Sequence, residues 1–345
     1  MEQLGVGTRP FVDQDCAYTN CYITTNRSLL GDDYRKFEAV IFDIKKFVRL
    51  LKKNLPKSRS SHQKYIFYSR TSSNDVPVCN IYADNYFNWT WSYKFDSDVF
   101  SPFIEVKDLK GTVVAPRSNV HWNSNMTELN KTETDRFKKK NKAMAWIVSK
   151  CETKNDRMII AKRLQRLFKR NSMQFDIFGC GNEECPSDGC LKTIERDYYF
   201  YYAPEDSHAI DYVTNEVVVG YNNYAVPIVN GAGDYKKFIP DGSYLNAASS
   251  PGDRLVALVE YFIKHPKIYN NFHNWRNHYI IQETHKYKGL CELCDFLNDE
   301  NKFQSRSVKE NFRKWWYSRP LYARCMPKGT ENLFDALSYL NESRH

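Results

Sequence analysis

The densest chemistry in this chain lies in one polar run, Glu205-Asp206-Ser207-His208-Ala209-Ile210-Asp211-Tyr212-Val213-Thr214-Asn215-Glu216, directly after the aromatic stretch Tyr198–Ala203. A polar segment at the end of a buried strand, opening a helix, is where backbone N–H groups and a helix dipole hold a diphosphate. The same run also reads as a capped helix start, and spacing alone leaves both readings open. Cysteines are the second reactive set: 16, 21, 79, 151, 180, 185, 190, 291, 294 and 325. Cys291-Glu-Leu-Cys294 is the only C-x-x-C, and the other short spacers hold four residues, which suits disulfides better than a zinc ribbon. Disulfides among Cys180, Cys185, Cys190, Cys291, Cys294 and Cys325 are expected, with no bound metal. N-glycosylation sequons stand at Asn26, Asn88, Asn125, Asn130 and Asn341. Sequons and cysteines together lean toward a lumenal compartment.

Strands and helices must position these groups. Apolar runs at Ala39–Ile44, Tyr65–Tyr68, Thr112–Ala115, Ala143–Ser149, Phe175–Gly179, Tyr198–Ala203 and Tyr224–Val229 read as strands, several apolar on both sides of the alternation as in parallel sheets. Between them, Ile160, Leu164, Leu167 and Phe168 share one helical face. Leu255, Leu258, Val259 and Phe262 share another, with Ser250 as the expected cap, Pro251 at the first helical position and His265-Pro266 as the stop. Alternating strands and helices predict an α/β chain with doubly wound parallel sheets. The polar segment Asn123–Asn141 is the natural boundary, giving domains 1–130 and 131–345.

Composition sets outer bounds. At 345 residues the chain is long enough for two domains, and 42% hydrophobic with 26% charged residues excludes wholesale disorder. Fifteen per cent aromatic residues predict ring-lined surfaces. The net charge, 50 − 41 = +9, suits a phosphate-bearing ligand or an ordinary basic surface. The basic run Arg136–Lys142 has no companion stripe or motif, so no nucleic-acid partner is expected. No apolar stretch spans a membrane, and the first thirty residues carry no signal-peptide pattern.

Motifs in fixed order carry a further reading. Glu205–Glu216 is similar to F-E-N-S-x-x-x-D-Y-[VI]-T-E-K, and Tyr224–Gly231 with Tyr235 and Phe238-Ile-Pro240 to G-A-V-P-V-V-x-G…Y-x-x-F-x-P. Ala145–Cys151 with Asn155 and Arg157 is similar to A-W-V-V-S-N-C-x-x-x-N-x-R, and Phe87–Asp98 to F-N-W-T-x-S-Y-R-x-D-S-D. Phe272–Arg276 and the C-x-x-C complete the set. These stretches resemble the α-1,3-fucosyltransferases of glycosyltransferase family ten, from about Cys16 to Cys294. The resemblance implies a GT-B fold, two Rossmann-like doubly wound domains facing across a cleft. It implies inverting transfer of fucose from GDP-fucose to GlcNAc of N-glycans or related glycoconjugates, with no required cofactor and a divalent metal at most stimulatory. The implied partners are GDP-fucose and a glycan acceptor. The implied location is the Golgi lumen, as a type II membrane protein whose anchor this sequence lacks.

The resemblance also assigns residues. Arg157 matches the arginine that holds the diphosphate, and Glu205 joins it as a catalytic candidate. Ser149, Lys150, Tyr201, Asp206, Ser207, Tyr212, Thr214, Asn215 and Glu216 fall on donor-binding positions. Several depart from the family pattern. Asn215 and Glu216 stand where the family has Glu and Lys, while Asp206 and Lys150 each replace an Asn. Thr71 occupies the place of the proposed general base, which leaves Asp75 as the nearest carboxylate. The alternative reading is a catalytically impaired member that binds a glycan or GDP-sugar.

Overall fold

The computed structural model describes residues 4–45, 55–79, 81–285 and 287–317, arranged as two compact units. One comprises residues 1–102 and 285–345, the other Phe103–Thr284. By contacts the chain divides at two points, because described residues after Thr284 pack with the first unit.

The reason lies in the sheet of the first unit. Strands β1 (Ala39–Asp43), β2 (Lys64–Ser69), β3 (Trp89–Ser92) and β4 (Val99–Phe100) pair in parallel in that sequential order. Every residue of β2 is buried, so both faces need cover. Ile66, Tyr68, Trp89 and Trp91 point to one face, where Leu4, Phe11 and Ile23 meet Leu290 and Leu293 of the helix Leu290–Asn298. Phe67 points to the other face and packs edge-on against Phe312 and Trp316 of the helix Phe312–Trp316. Disulfides Cys16–Cys291 and Cys21–Cys294 fasten the first of these layers. Gly289, at φ +90°, turns the chain into it, and a Cβ there would stand 2.6 Å from Trp91 Nε1.

The second unit holds two sheets. The antiparallel one runs β12-β5-β6, from β5 (Ile104–Asp108), β6 (Val113–Ala115) and β12 (Tyr279–Glu283). The parallel one is built from β7 (Lys142–Ile147), β8 (Phe175–Phe178), β9 (Tyr198–Pro204), β10 (Val226–Asn230) and β11 (Leu245–Asn246), in the order β11-β10-β9-β7-β8. The chain leaves β7 toward one edge, to β8, then returns past it to build β9, β10 and β11. That reversal makes a doubly wound sheet, and the helix Arg157–Arg170 lies on the face opposite the helices Cys190–Asp197 and Glu216–Asn222. Among the described residues of the first unit the order shows no such reversal. Both units are thus α/β with a parallel sheet, as the alternation of strands and helices predicts.

Local detail departs from expectation at the helix starts. Asp253–Lys264 is capped by Gly252 at φ +60°, not by Ser250, and a further helix follows at Pro266–Asn271. The run Glu205–Asn215 forms a turn, and its helix begins only at Glu216. Among the described residues no helix is long and apolar enough to cross a membrane, and no group of three His, Cys, Asp or Glu is arranged to hold a metal. Further disulfides join Cys151–Cys180 and Cys185–Cys190; Cys79 is disulfide-bonded as well, and Cys325 lies outside the described residues. The expected set thus omitted Cys16, Cys21, Cys79 and Cys151.

Candidate functional site

In a doubly wound sheet the crevice opens beyond the carboxyl ends of the strands where the order reverses. Here that point lies between β7 and β9. The loop after β7 carries Ser149, Lys150, Asn155 and Arg157, while the turn after β9 carries Glu205 to Asn215. A cavity of about 860 Å³ opens beside them. Its walls come from Ile147 and Ser149, from Asp188–Lys192, from Tyr201, and from Asn215, Glu216 and Val219.

Arg157 is almost fully enclosed and opens the helix after β7. Its Nη1 donates to Pro204 O at 2.8 Å and to Glu216 Oε1 at 3.1 Å, and its guanidinium lies 5.3 Å from the Trp146 ring centre. Its Nε is buried with no hydrogen-bond partner. Burial pushes the Glu216 carboxyl up, and Arg157 beside it pulls it back down. The acid that replaces a family lysine therefore neutralises the family arginine.

A second pair has the same logic. Lys150 Nζ meets Asp206 Oδ2 at 2.6 Å, and Tyr212 OH donates to Asp206 Oδ1 at 3.1 Å. Both residues stand where the family has asparagine. Two amides have become a cation and an anion in contact, so the lysine's charge is matched within the protein.

Glu205 departs from its expected catalytic role. It is fully buried, does not line the cavity, and accepts from Thr214 N at 2.8 Å and Thr214 Oγ1 at 2.7 Å. Burial pushes its carboxyl up to about 8, against the lowering effect of both Thr214 bonds. Glu205 is a brace that closes the turn and sets where Asn215 and Glu216 emerge. Asn155 Nδ2 donates to Glu205 O at 2.8 Å, tying the β7 loop to the same turn. Gly231 leaves the brace room: a Cβ there would stand 2.5 Å from Tyr235 OH and 2.7 Å from Glu205 Cγ.

The remaining assigned residues divide by environment. Tyr201 is buried and lines the cavity, and burial raises its hydroxyl far above the usual phenol range. Ser207 and Thr214 are buried in the turn, and Tyr212 stands edge-on to Phe103 at 5.3 Å. Asn215 Nδ2 donates to Glu283 Oε1 at 2.9 Å. Asp75 and Thr71 belong to the first unit, in the turn after β2, where the Thr71 N–H donates to Ser69 Oγ at 3.1 Å. Sequence reasoning missed Asp188–Lys192. Its only signal was the Cys185/Cys190 spacing, because the disulfide folds this stretch onto the start of the helix Cys190–Asp197.

The sequons separate too. Asn26, Asn125 and Asn130 are exposed, and Asn130 caps a helix through Glu133 N. Asn88 is buried, accepts from Tyr65 N at 2.7 Å and donates its Nδ2 to Ser307 O at 2.8 Å. That nitrogen is the one a glycan would occupy, so Asn88 is withdrawn as a site in the folded chain. Asn341 lies outside the described residues.

A family described as "Glycosyltransferase family 10 (fucosyltransferase) C-term" matches residues 137–315, and "Fucosyltransferase, N-terminal" matches residues 4–104. The chain is 28% identical over 309 residues to Alpha-(1,3)-fucosyltransferase C of Drosophila melanogaster, covering 88% of this chain and 70% of that protein. It is 28% identical over 298 residues to 4-galactosyl-N-acetylglucosaminide 3-alpha-L-fucosyltransferase FUT6 of Pan troglodytes, covering 84% and 74%. It is 26% identical over 245 residues to Glycoprotein 3-alpha-L-fucosyltransferase A of Drosophila melanogaster, covering 69% and 44%. Among solved structures, an α1,3-fucosyltransferase with GDP aligns at a TM-score of 0.45 and 12% identity, over 82% of this chain and 80% of that one.

Proposed function

This chain belongs to glycosyltransferase family 10, the fucosyltransferases, and from that membership we propose that it moves fucose from GDP-fucose to the GlcNAc of an N-glycan or related glycoconjugate. The carrying observation is the cavity at the reversal point of the second unit's sheet, with Tyr201, Asn215 and Glu216 in its wall and Arg157 behind Glu216.

The reaction is an inverting, in-line displacement at the anomeric carbon. The acceptor oxygen attacks as GDP departs, so negative charge grows on the diphosphate. Arg157 has the planar fork for that charge, and its Nε is buried without a partner. The acceptor hydroxyl must lose a proton, a step worth about 10²–10⁴-fold when a base is positioned. Thr71 cannot serve near neutral pH, so Asp75 is the base in this reading. The donor site draws on protein groups alone, and transfer continues with a chelator present. Disulfides and exposed sequons support a lumenal, Golgi location.

One observation favours a second reading. Arg157 and Lys150 each sit against a carboxylate, which suits a member that binds a GDP-sugar but turns over slowly. A mass-detected transfer assay with GDP-fucose and N-glycan acceptors separates the two. In the slow-turnover reading, Thr71→Glu with Asn215→Glu and Glu216→Lys raises transfer by roughly tenfold or more. A wild type that already turns over rapidly, unmoved by these changes, assigns the base to Asp75. No transfer by wild type or by the restored variant excludes the enzyme reading.

A further inference from the structure

The cations around the cavity are not equivalent. Arg157 contacts Glu216 at 3.1 Å, Lys150 contacts Asp206 at 2.6 Å, and Arg196 contacts Asp188 at 2.6 Å and Asp197 at 2.7 Å. Lys192 is different. It is the one cation in the cavity wall, and among the described residues it contacts no carboxylate. Its wall is fixed, since the Cys185–Cys190 disulfide holds the preceding loop and Thr193 Oγ1 donates to Asp188 Oδ1 at 3.1 Å.

Charge arithmetic gives this position its meaning. An ion pair presents nearly no net charge to a ligand, and a phosphate can recruit its cation only by displacing the carboxylate. A nucleoside diphosphate entering this cavity meets Arg157 already neutralised by Glu216. That pair leaves no net positive charge on its wall, so the site needs a cation from another element. Lys192 supplies one without breaking any contact.

We propose that Lys192 holds the phosphates of a nucleoside diphosphate in this cavity, the charge that Glu216 removed from one wall having been relocated to another. This rests on the donor-site reading of the same cavity. Lys192 is a binding residue here, and the ligand class is a nucleotide with at least two phosphates. Asp188 and Glu216, the acids lining the same cavity, are each held by an arginine, so among the described lining residues Lys192 carries the charge that no pair offsets.

The test is calorimetric titration of the whole chain with GDP and, separately, with guanosine. Lys192→Ala weakens GDP binding by about tenfold or more, the loss of one charge-assisted contact. Guanosine, which has no phosphate, binds this variant as it binds wild type. Lys192→Arg retains most of the GDP affinity. Lys192→Glu abolishes measurable binding, and adding Glu216→Lys to it restores binding, because the cation returns on the other wall. A merely structural role for Lys192 would show no such rescue. Lys192 is exposed, so thermal unfolding of the variants changed at Lys192 alone stays at the wild-type midpoint and reports that they fold. Unchanged GDP affinity in Lys192→Ala overturns this inference and leaves the donor site standing. No GDP binding by wild type or by Glu216→Lys overturns both together.

Discussion

At the residue scale, the Arg157–Glu216 pair governs both ligand and fold. The Arg157 side chain is 4% exposed and that of Glu216 23%, so neither is well solvated. Removing one partner of such a pair typically costs about 3–5 kcal/mol, since the other charge stays behind. Arg157→Ala therefore loses detectable GDP binding by calorimetry and unfolds at lower urea. Adding Glu216→Gln to it recovers much of the stability and none of the binding, which separates the two effects. Glu205 gives a different signature. Its carboxyl rises from 4.5 to about 8 on folding, so between those values the folded chain keeps a proton that the unfolded chain has released. This contribution to stability is full below about pH 4.5, declines as pH rises through the window, and is lost above about 8. Urea midpoints across that range fall with pH in wild type, and Glu205→Gln flattens the slope. An identical slope in both proteins would assign the titration to another group.

At the element scale, the turn between β9 and its helix is a small machine of contacts, and Gly231 at the end of β10 sets its tolerance. Gly231→Ala drives a methyl into Tyr235 OH and Glu205 Cγ, so the brace must shift. Overpacking of this kind typically costs about 1–3 kcal/mol. Loss of GDP affinity accompanies the lower melting temperature, because Asn215 and Glu216 move with the turn; a variant that binds GDP normally would show that the brace does not position them. The strands that hold this turn were legible: Tyr198–Ala203 and Tyr224–Val229 are continuous apolar runs, as strands buried on both faces must be. Short strands such as Val99–Phe100 and Leu245–Asn246 were not, since two residues carry no period. The helix start was misplaced from Glu216 to Glu205 because capping residues fill the whole turn, and only Glu205's burial shows it bracing rather than opening a helix. Motif matching found Arg157 and Glu216 as separate departures. That they meet at 3.1 Å is a tertiary fact, coming from the first residues of two helices 59 residues apart. Lys192 had no motif at all.

At the scale of the whole molecule, the first unit is closed by two disulfides that nearly duplicate each other. Cys16–Cys291 spans 275 residues and Cys21–Cys294 spans 273. Once either is formed, the other closes a ring of only about ten residues. The chain-entropy estimate is then about 3 kcal/mol for the second bond and about 5–6 kcal/mol for the first. Cys21→Ala with Cys294→Ala thus lowers the denaturation midpoint modestly, whereas removing all four cysteines lowers it more than twice as far. Equal losses in the two variants would show that the bonds act through local packing of Leu290 and Leu293 rather than through closure. Nothing in local composition announces that residues near 290 return to a sheet begun near 39.

That return makes the second unit an insertion within the first, with consequences for how the chain is made. A ribosome delivers β1 to β4 early, but the helices that cover both their faces come out only after all of Phe103–Thr284 has been made. At about 5–20 residues per second, the aromatic sheet waits some tens of seconds with Phe67 and Trp91 uncovered. Throughout that interval Cys16 and Cys21 have no native partner in existence, while Cys151, Cys180, Cys185 and Cys190 appear and can pair among themselves. In an oxidising compartment the inserted unit can close its own disulfides first, while the older half of the protein stays uncovered until its last helices arrive.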